Sequence, residues 1–305
     1  MLWQTSRFVL DLQRPHTMGI VNATPDSFSD GGSHFSVTAA LRHCERLLQE
    51  GADILDIGGE STRPGSPSVP LQEELARVLP IVRGAVRLGV PVSVDTYKPE
   101  VMQAVLDEGV DIVNDVWALR QLGAAQVVAQ HPRCGVCLMH MHGDPQTMQA
   151  VPMVGDVLAQ VLSFLELQAQ IVYGFGVEKT RIVLDPGIGF GKTVEQNFAL
   201  LARQRELLSL GYPLLAGWSR KSSLGAVTGL EVGERLQPSV AAALLAVERG
   251  ARVLRVHDVR ATVQAVAVWR AMAAAEVSAS CIAAVPSVPE QGVGSNGTSG
   301  LQART

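Results

Sequence analysis

The hydrophobic and polar positions of this 305-residue chain follow two repeating patterns. Short β-branched runs typical of buried strands are each closed by a polar or Gly/Pro cluster, and stretches with helical periodicity follow them. The runs predict eight strands, at 16–21, 53–57, 90–94, 111–113, 135–139, 181–184, 212–216 and 252–256. The helical stretches predict helices at 37–50, 71–88, 100–108, 154–173, 195–210, 238–249 and 262–275. Ser36 before the first of these helices and Gly51 after it are the expected cap residues.

This alternation places the chain in the α/β class and predicts a single (β/α)₈ TIM barrel over residues 16–276. An open, doubly wound parallel sheet is the alternative fold. Residues 1–15 are too few for a domain, and we expect them to form a short N-terminal extension that caps the bottom of the barrel. Residues 277–305 are rich in Ser, Gly, Pro and Ala, which predicts a disordered C-terminal tail.

Composition narrows the class of function. With 47% hydrophobic and 18% charged residues, the chain has enough apolar material for a large core. Its net charge of −4 and its lack of a Lys/Arg block argue against nucleic-acid and anionic-membrane partners, so a small-molecule ligand is expected. No apolar run approaches the roughly 18 residues of a membrane span. The charged N-terminus lacks the apolar core of a signal peptide, and four scattered cysteines predict free thiols, so we expect a cytoplasmic protein.

Every predicted strand leads into a polar residue at its carboxyl end. In chain order these residues are Asn22, Asp56, Asp95, Asn114, His140, Asp185, Ser219 with Lys221, and Arg255 with His257. A single Asp or Asn at such a place is commonly a turn former or a helix cap. Several buried charges together are costly unless they have partners, and the carboxyl ends of barrel strands meet at one face. The sequence therefore predicts one polar cup that binds a ligand.

The spacing within the last strand suggests which part of the cup is cationic. Arg255 and His257 are two residues apart, so their side chains lie on the same face of the strand. Barrels often bind phosphate near the last two strands, and we interpret this pair as a phosphate or pyrophosphate site rather than a structural salt bridge. The carboxylates of Asp95 and Asp185 share the same mouth. They could serve as acid and base, as metal ligands, or as anchors for N–H groups of a ligand, and spacing alone leaves all three open.

Two other motifs resemble nucleotide and zinc sites but do not meet their requirements. The segment PGIGFGKT has Pro186 where a phosphate-binding loop needs its first glycine, and Lys192 where a dinucleotide-binding loop needs its last. Cys134 and Cys137 resemble half of a zinc site, but positions three apart on a strand face opposite sides. Nucleotide and zinc binding are therefore not expected.

Read together, the loop segments resemble the dihydropteroate synthase family. The matching segments are MGIVNATPDSFSDGG, DIGGESTRPGS, VSVDTYKPEV, DIVND, LMHMHGDPQTMQ, LDPGIGFGKT, AGWSRKSSLG and RVHDV. They occur in the order typical of that family, over nearly all of 18–268. The resemblance implies a (β/α)₈ barrel and an enzyme, a transferase, that condenses 6-hydroxymethyl-7,8-dihydropterin pyrophosphate with p-aminobenzoate. The products would be 7,8-dihydropteroate and pyrophosphate, with Mg²⁺ as cofactor and a homodimer as the assembly.

The same resemblance implies roles for individual residues. Those expected to hold the pterin are Asp95, Asn114, Asp185 and Lys221. Those expected around the pyrophosphate are Asn22, Arg63, Arg255 and His257, with Asn22 as the Mg²⁺ ligand. Those expected to shape the p-aminobenzoate pocket are Thr62, Pro64, Phe190 and Ser222. Further substrate-binding positions are Phe28, Ser61, Met139 and Gly217, and the expected catalytic group is Arg63, Lys221, Arg255 and His257.

Two related activities are alternatives. A catalytically silent pterin-binding paralogue would keep Asn114 and Asp185 but would not need residues for the leaving group. A methyltetrahydrofolate-binding methyltransferase would keep the pterin anchors but not STRPGS or SRKS. Tyr97 and Trp218 are larger than expected beside binding residues, and the VWAL segment after Asp115 is unusual for the family.

Overall fold

The computed structural model describes residues 1–24, 36–61, 66–143, 148 and 152–283, with side chains described up to residue 275. It divides into two compact units, Met1–Ala267 and Val268–Thr305. The first unit holds all the strands. In the second unit the described residues are helical and end at Ala283. Residues 284–305, most of the tail predicted to be disordered, lie outside the described part.

The strands of the first unit form a hairpin and a closed barrel. The antiparallel hairpin consists of β1 (Leu2–Gln4) and β2 (Val9–Asp11). The barrel strands are β3 (His16–Asn22), β4 (Ile54–Gly58), β5 (Val92–Asp95), β6 (Ile112–Asp115), β7 (Gly135–Met139), β8 (Ile182–Asp185), β9 (Leu214–Ala216) and β10 (Ala251–Val256). Each pairs in parallel with the next, and β10 pairs with β3 to close the ring. The predicted (β/α)₈ barrel is confirmed.

Helices follow the barrel strands. They are α1 (Val37–Gln49), α2 (Leu71–Ala85), α3 (Pro99–Asp107), α4 (Ala124–Gln130), α5 (Val157–Gly174), α6 (Val194–Arg203), α7 (Ser222–Thr228), α8 (Leu236–Glu248) and α9 (Val259–Ala283). The Ser36 hydroxyl accepts a hydrogen bond from the Ala39 amide at 3.2 Å, as its expected role as cap requires. Gly51 takes a φ of 99°, the left-handed conformation that glycine adopts most easily after a helix. Among the described residues, α4 and α7 are helices that the sequence did not predict.

α5 is long and apolar enough to cross a membrane by length and composition alone. The core helix of a soluble protein passes the same test. Its buried residues include Val161, Leu165 and Val172, and it contacts β7 of the barrel. The burial of this face explains the apolar composition, since a helix that packs on a sheet needs a wide hydrophobic stripe.

The N-terminal hairpin closes one end of the barrel. Trp3 and Leu12 are buried in a cluster with one inward-facing residue from most of the barrel strands: Met18, Ile54, Ile112, Cys137, Val183, Leu215 and Val253. The Trp3 indole Nε1 donates to the carbonyl of Arg181 at 2.9 Å. This apolar layer fills the amino-terminal end of the barrel, so a ligand site has to lie at the carboxyl-terminal end.

The indole hydrogen bond gives a first testable prediction. Trp3→Phe keeps an aromatic ring in the plug but leaves the Arg181 carbonyl without its donor, and it opens a small void. We expect the free energy of unfolding to fall by about 1–3 kcal/mol in urea denaturation, the usual cost of a buried unpaired polar group. The control is Leu2→Ala on the same strand, where the side chain is half exposed and the effect should be close to zero. Equal losses in the two variants would contradict the assigned role of the indole.

Candidate active site

The carboxyl-terminal mouth of the barrel gathers polar side chains from strands far apart in sequence. Because side chains alternate along each strand, the residues two positions after those of the apolar layer point inward again. They are Asp56, Asp95, Asn114, Met139, Asp185 and Arg255. A cavity of about 390 Å³ and a smaller adjoining one open at this level. Asp95, Phe190, Gly217, Lys221 and Arg255 line both, so they belong to one site.

Arg255 bridges two carboxylates at the centre of this site. Its Nε donates to Asp56 Oδ2 at 2.6 Å and its Nη2 donates to Asp95 Oδ2 at 2.7 Å. Asn114 Nδ2 also donates to Asp56 Oδ2, at 3.3 Å. Burial lowers the pKa of Arg255, but Asp56 and Asp95 raise it more, so the guanidinium stays charged. These contacts connect the predicted pyrophosphate residue with the predicted pterin residues.

Asp95 keeps one acceptor for a ligand. Its Oδ1 is buried and has no hydrogen-bond partner among the described residues. Burial raises the pKa of this carboxyl to about 7, although Arg255 opposes the shift. A buried oxygen without a partner is costly, and a ligand with an N–H group would satisfy it. The site is thus prepared for a hydrogen-bond donor at this point.

Asp185 lies across the smaller cavity from Asp95. Its Oδ1 accepts from the Gly187 amide at 2.7 Å, which fixes the carboxyl group at the end of β8. Burial raises its pKa, while Gly187 and then Lys221 oppose the shift. The neighbouring wall is apolar and contains Val116, Met139, Met141, Met148 and Phe190. A flat ring with N–H donors on one edge fits between this wall and the carboxylate.

Lys221 completes the ring-binding side. Its Nζ lies 4.2 Å from the centre of the Phe190 ring, in a cation–π contact. Burial lowers the pKa of Lys221 to about 8, and Asp185 opposes the shift. The preceding residue, Arg220, has a φ of 58°, which is unusual for a side chain other than glycine. Its amide donates to the Ser239 hydroxyl at 2.9 Å and its guanidinium pairs with Asp258 at 2.7 Å, which holds this strained turn.

The opposite side of the larger cavity suits an anion. It is lined by Asn22, Ser219 and His257, next to Arg255. The Ser219 hydroxyl lies 3.0 Å from His257 Nδ1 and accepts from the His257 backbone amide at 3.1 Å. These contacts fix the imidazole at the end of β10. The site therefore has a carboxylate and flat-ring side and a separate side rich in anion-binding groups.

The predicted site residues that the structure describes all line one of these two cavities. They are Asn22, Ser61, Asp95, Asn114, Met139, Asp185, Phe190, Gly217, Lys221, Ser222, Arg255 and His257. Phe28, Thr62, Arg63 and Pro64 lie outside the described residues. His140, one of the polar residues at the strand ends, lines neither cavity. Its ring contacts Phe164 on α5 at 4.9 Å, on the outer side of β7.

Lys192 supports the site from behind, a role that the sequence did not suggest. Its buried Nζ donates to the carbonyls of Gly187 at 2.8 Å and Phe190 at 3.1 Å, and lies 2.9 Å from His140 Nδ1. Burial lowers the pKa of this amine to about 7. These bonds fold the loop after β8 around the amine and hold Phe190 beneath Lys221. A lysine within a glycine-rich loop is the only sequence signal for this role.

A buried ionic group supports the site on the other side. Lys98 pairs with Glu60, which lines the larger cavity, and with Glu74 on α2. The Tyr97 hydroxyl donates to Glu60 at 2.9 Å, and its ring stacks on Trp117 at 5.5 Å. Two of the three unusual features noted in the sequence, Tyr97 and the VWAL segment, thus pack against each other. Trp218 is buried against Phe198, and does not line either cavity.

Comparison with known proteins agrees with this geometry. Residues 18–257 match the family model described as pterin binding enzyme. The dihydropteroate synthase of Neisseria meningitidis serogroup B is 48% identical over 277 residues, which cover 89% of this chain and 97% of the relative. A structure of Xanthomonas albilineans dihydropteroate synthase with 4-aminobenzoic acid superposes with a TM-score of 0.82 at 50% identity, covering 91% of this chain and 96% of the other. The Burkholderia cenocepacia enzyme complexed with 7,8-dihydropteroate gives a TM-score of 0.83 at 51% identity, covering 91% and 98%.

Proposed function

We propose that this chain, which belongs to the pterin-binding enzyme family, condenses 6-hydroxymethyl-7,8-dihydropterin pyrophosphate with p-aminobenzoate to give 7,8-dihydropteroate and pyrophosphate. The observation that carries the proposal is the meeting of Asp185 and Arg255 in one cavity system, with a ring slot at one side and anion-binding groups at the other. A dihydropterin pyrophosphate has a matching arrangement, with a flat ring at one end and a charged group at the other. The enzyme is a transferase of folate biosynthesis, as are its relatives.

The pterin end is held by complementary hydrogen bonds. The 2-amino-4-oxo edge of the ring offers adjacent N–H donors, which a carboxylate such as Asp185 accepts. Asp95 and Asn114 take the remaining polar atoms, and Lys221 donates to a ring acceptor. The apolar wall of Met139 and Phe190 packs against the ring faces. The proposed arrangement satisfies the Asp95 oxygen that has no partner in the unliganded site.

The pyrophosphate end is bound by Asn22, Arg255 and His257, with Arg63 contributing from outside the described residues. These groups neutralise the charge that builds on the leaving group as the C–O bond breaks. Mg²⁺ would be held on this side by the Asn22 amide oxygen together with phosphate oxygens of the substrate. The described residues contain no cluster of three or more metal-ligating side chains, but the Asn22 amide lines the cavity and offers one oxygen. Magnesium commonly takes few protein oxygens together with substrate phosphates, and when bound here it supplies positive charge to the leaving group.

The second half of the reaction needs little from the protein. As pyrophosphate leaves, the electron-rich pterin helps the methylene carbon to carry positive charge. The arylamine is neutral at cytoplasmic pH, so it attacks without a strong general base, and its nitrogen then loses one proton to solvent. Phe190 and Ser222 border its pocket, together with Thr62 and Pro64 from outside the described residues. The loops carrying 26–32 and 62–68 are proposed to close over the site and exclude water.

A silent pterin-binding protein is the competing function. Such a protein has no use for Asn22, Ser219 and His257 beside Arg255, yet all of them line the larger cavity. The catalytic proposal is therefore preferred. We further propose that the enzyme works in the cytoplasm as a homodimer, in keeping with its family resemblance. Free, buried Cys44, Cys134 and Cys137 support a reducing compartment.

Mixing the purified protein with the pterin pyrophosphate, p-aminobenzoate and Mg²⁺ tests the proposed function. We expect release of pyrophosphate in equal amount to 7,8-dihydropteroate, measured by a coupled phosphate assay and by chromatography. Omission of p-aminobenzoate is the control and should abolish dihydropteroate formation. Binding of the pterin without pyrophosphate release at any Mg²⁺ concentration would instead identify a binding protein.

A further inference from the structure

The centre of the barrel is poorly suited to retain a polyanion. Three carboxylates, Asp56, Asp95 and Asp185, face only two cations, Arg255 and Lys221. Two of the N–H groups of Arg255 are already used by Asp56 and Asp95. A free pyrophosphate at this level would therefore meet carboxylates as well as cations, and the carboxylates would repel it.

A third cavity, next to the larger site cavity, offers a more positive environment. It has a volume of about 630 Å³ and shares Ile20, Asn22, Arg220 and His257 with the larger site cavity. From there it extends over α1, where it is lined by Arg42, His43 and Arg46. None of its described lining residues is acidic. We refer to this cavity as the α1 trough.

A contact within the trough holds one of its cations, Arg46, in place. Arg42 and Arg46 are four residues apart, so they lie on one face of α1. His43 Nε2 lies 3.3 Å from the carbonyl of Ile20, and its Nδ1 lies 2.7 Å from Arg46 Nη2. Burial lowers the pKa of His43, and Arg46 lowers it further, so the imidazole is neutral and can accept from the guanidinium. A half-buried histidine thus connects the inner wall of the site to an arginine on the helix surface.

We propose that the α1 trough is an anion subsite that receives the pyrophosphate group once the C–O bond has broken and leads it to solvent. This inference rests on the proposed function, because that reaction is the source of the pyrophosphate. Asn22 and His257 lie at the junction of the two cavities, so the anion can pass from one set of donors to the next without losing all its partners. Arg220, which also pairs with Asp258, leads from this junction to Arg42 and Arg46 on α1, and Arg46 lies 3.9 Å from Glu50 at the end of the helix. The three arginines form a cationic path that starts at the site.

Binding of inorganic pyrophosphate tests the subsite directly. The variant is Arg42→Ala/Arg46→Ala, and the control is Arg205→Ala/Arg249→Ala, which removes the same charge from exposed arginines after α6 and α8, at the other end of the barrel. Titration calorimetry of the whole protein with pyrophosphate at low ionic strength should show about 5- to 30-fold weaker binding for the trough variant and little change for the control. Product inhibition of turnover by added pyrophosphate should weaken by a similar factor.

Two outcomes would overturn the inference. One is pyrophosphate binding by the trough variant that matches that of the unsubstituted protein. The other is equal weakening in the trough variant and the control, which would reveal a general charge effect only. The calorimetry uses pyrophosphate alone, so it measures binding to the trough even if the protein does not form dihydropteroate. The proposed subsite and the proposed function can therefore be disproved independently.

Discussion

Arg255→Met is expected to lower the free energy of unfolding by about 3–5 kcal/mol at pH 7, the usual cost of removing one partner from a buried ion pair. The guanidinium contacts Asp56 and Asp95, whose side chains are 0% and 6% exposed. Methionine preserves much of the volume but leaves two buried carboxylates without a cation. Urea denaturation followed by circular dichroism measures the change, and turnover should be lost together with stability.

The pH dependence of that loss identifies its cause. Without Arg255, burial holds the folded-state pKa of Asp95 above the unfolded value of 3.8, as it already does in the native protein, where the pKa is about 7. A carboxyl group with a raised pKa destabilises the fold when ionised, so the penalty is present near pH 7 and shrinks as the pH falls towards 4. The double variant Arg255→Met/Asp95→Asn should recover part of the stability. Arg203→Met, in an exposed ion pair with Asp156, is the control and should change little. A loss independent of pH would point to packing instead.

Asp185→Ala is expected to weaken binding of a pterin that lacks phosphates by roughly 10- to 150-fold, or about 1.5–3 kcal/mol, the scale of hydrogen bonds to a charged group. Calorimetric titration measures this change. Asp107→Ala removes an exposed carboxylate on α3 and should leave the affinity unaltered. An unchanged affinity in Asp185→Ala would refute the assignment of this residue to the pterin.

A second measurement on Asp185→Ala follows the pKa of the neighbouring Lys221. Asp185 raises the pKa of Lys221, whereas burial lowers it to about 8. Removal of the carboxylate should therefore shift the pKa of Lys221 below 8, and the basic limb of the kcat/KM profile should move to lower pH. Asp185→Asn should give the same direction of shift, because it removes the charge but keeps the side-chain volume.

The barrel could be predicted from the sequence because most of its strands are short, buried and largely apolar runs with a polar residue at the carboxyl end. The period of two also placed Arg255 and His257 on the same face, where the structure has them lining one cavity. The helices α4 and α7 were missed because each has seven residues, about two turns, too few to show a clear helical period. The periodicity of the sequence was therefore sufficient to predict the barrel but not its two shortest helices.

The couplings within the site could not be predicted from the sequence. Arg255 and Asp56 are 199 positions apart, and both ends of their contact were visible only as separate polar residues at strand ends. Lys192 is held mainly by backbone carbonyls, whose directions depend on loop conformation and leave no residue pattern. The individual substrate roles came from the resemblance to the family, since the residues alone left acid, metal ligand and anchor as open choices for Asp95 and Asp185.

The apolar plug built on Trp3 and Leu12 restricts where ligands can enter the barrel. Because that end of the barrel is filled, both substrates and both products have to enter and leave at its carboxyl-terminal face. Met139 and Asp185 line the smaller cavity and Ser222 lines the larger one, so in the proposed reaction the joined product extends across both cavities.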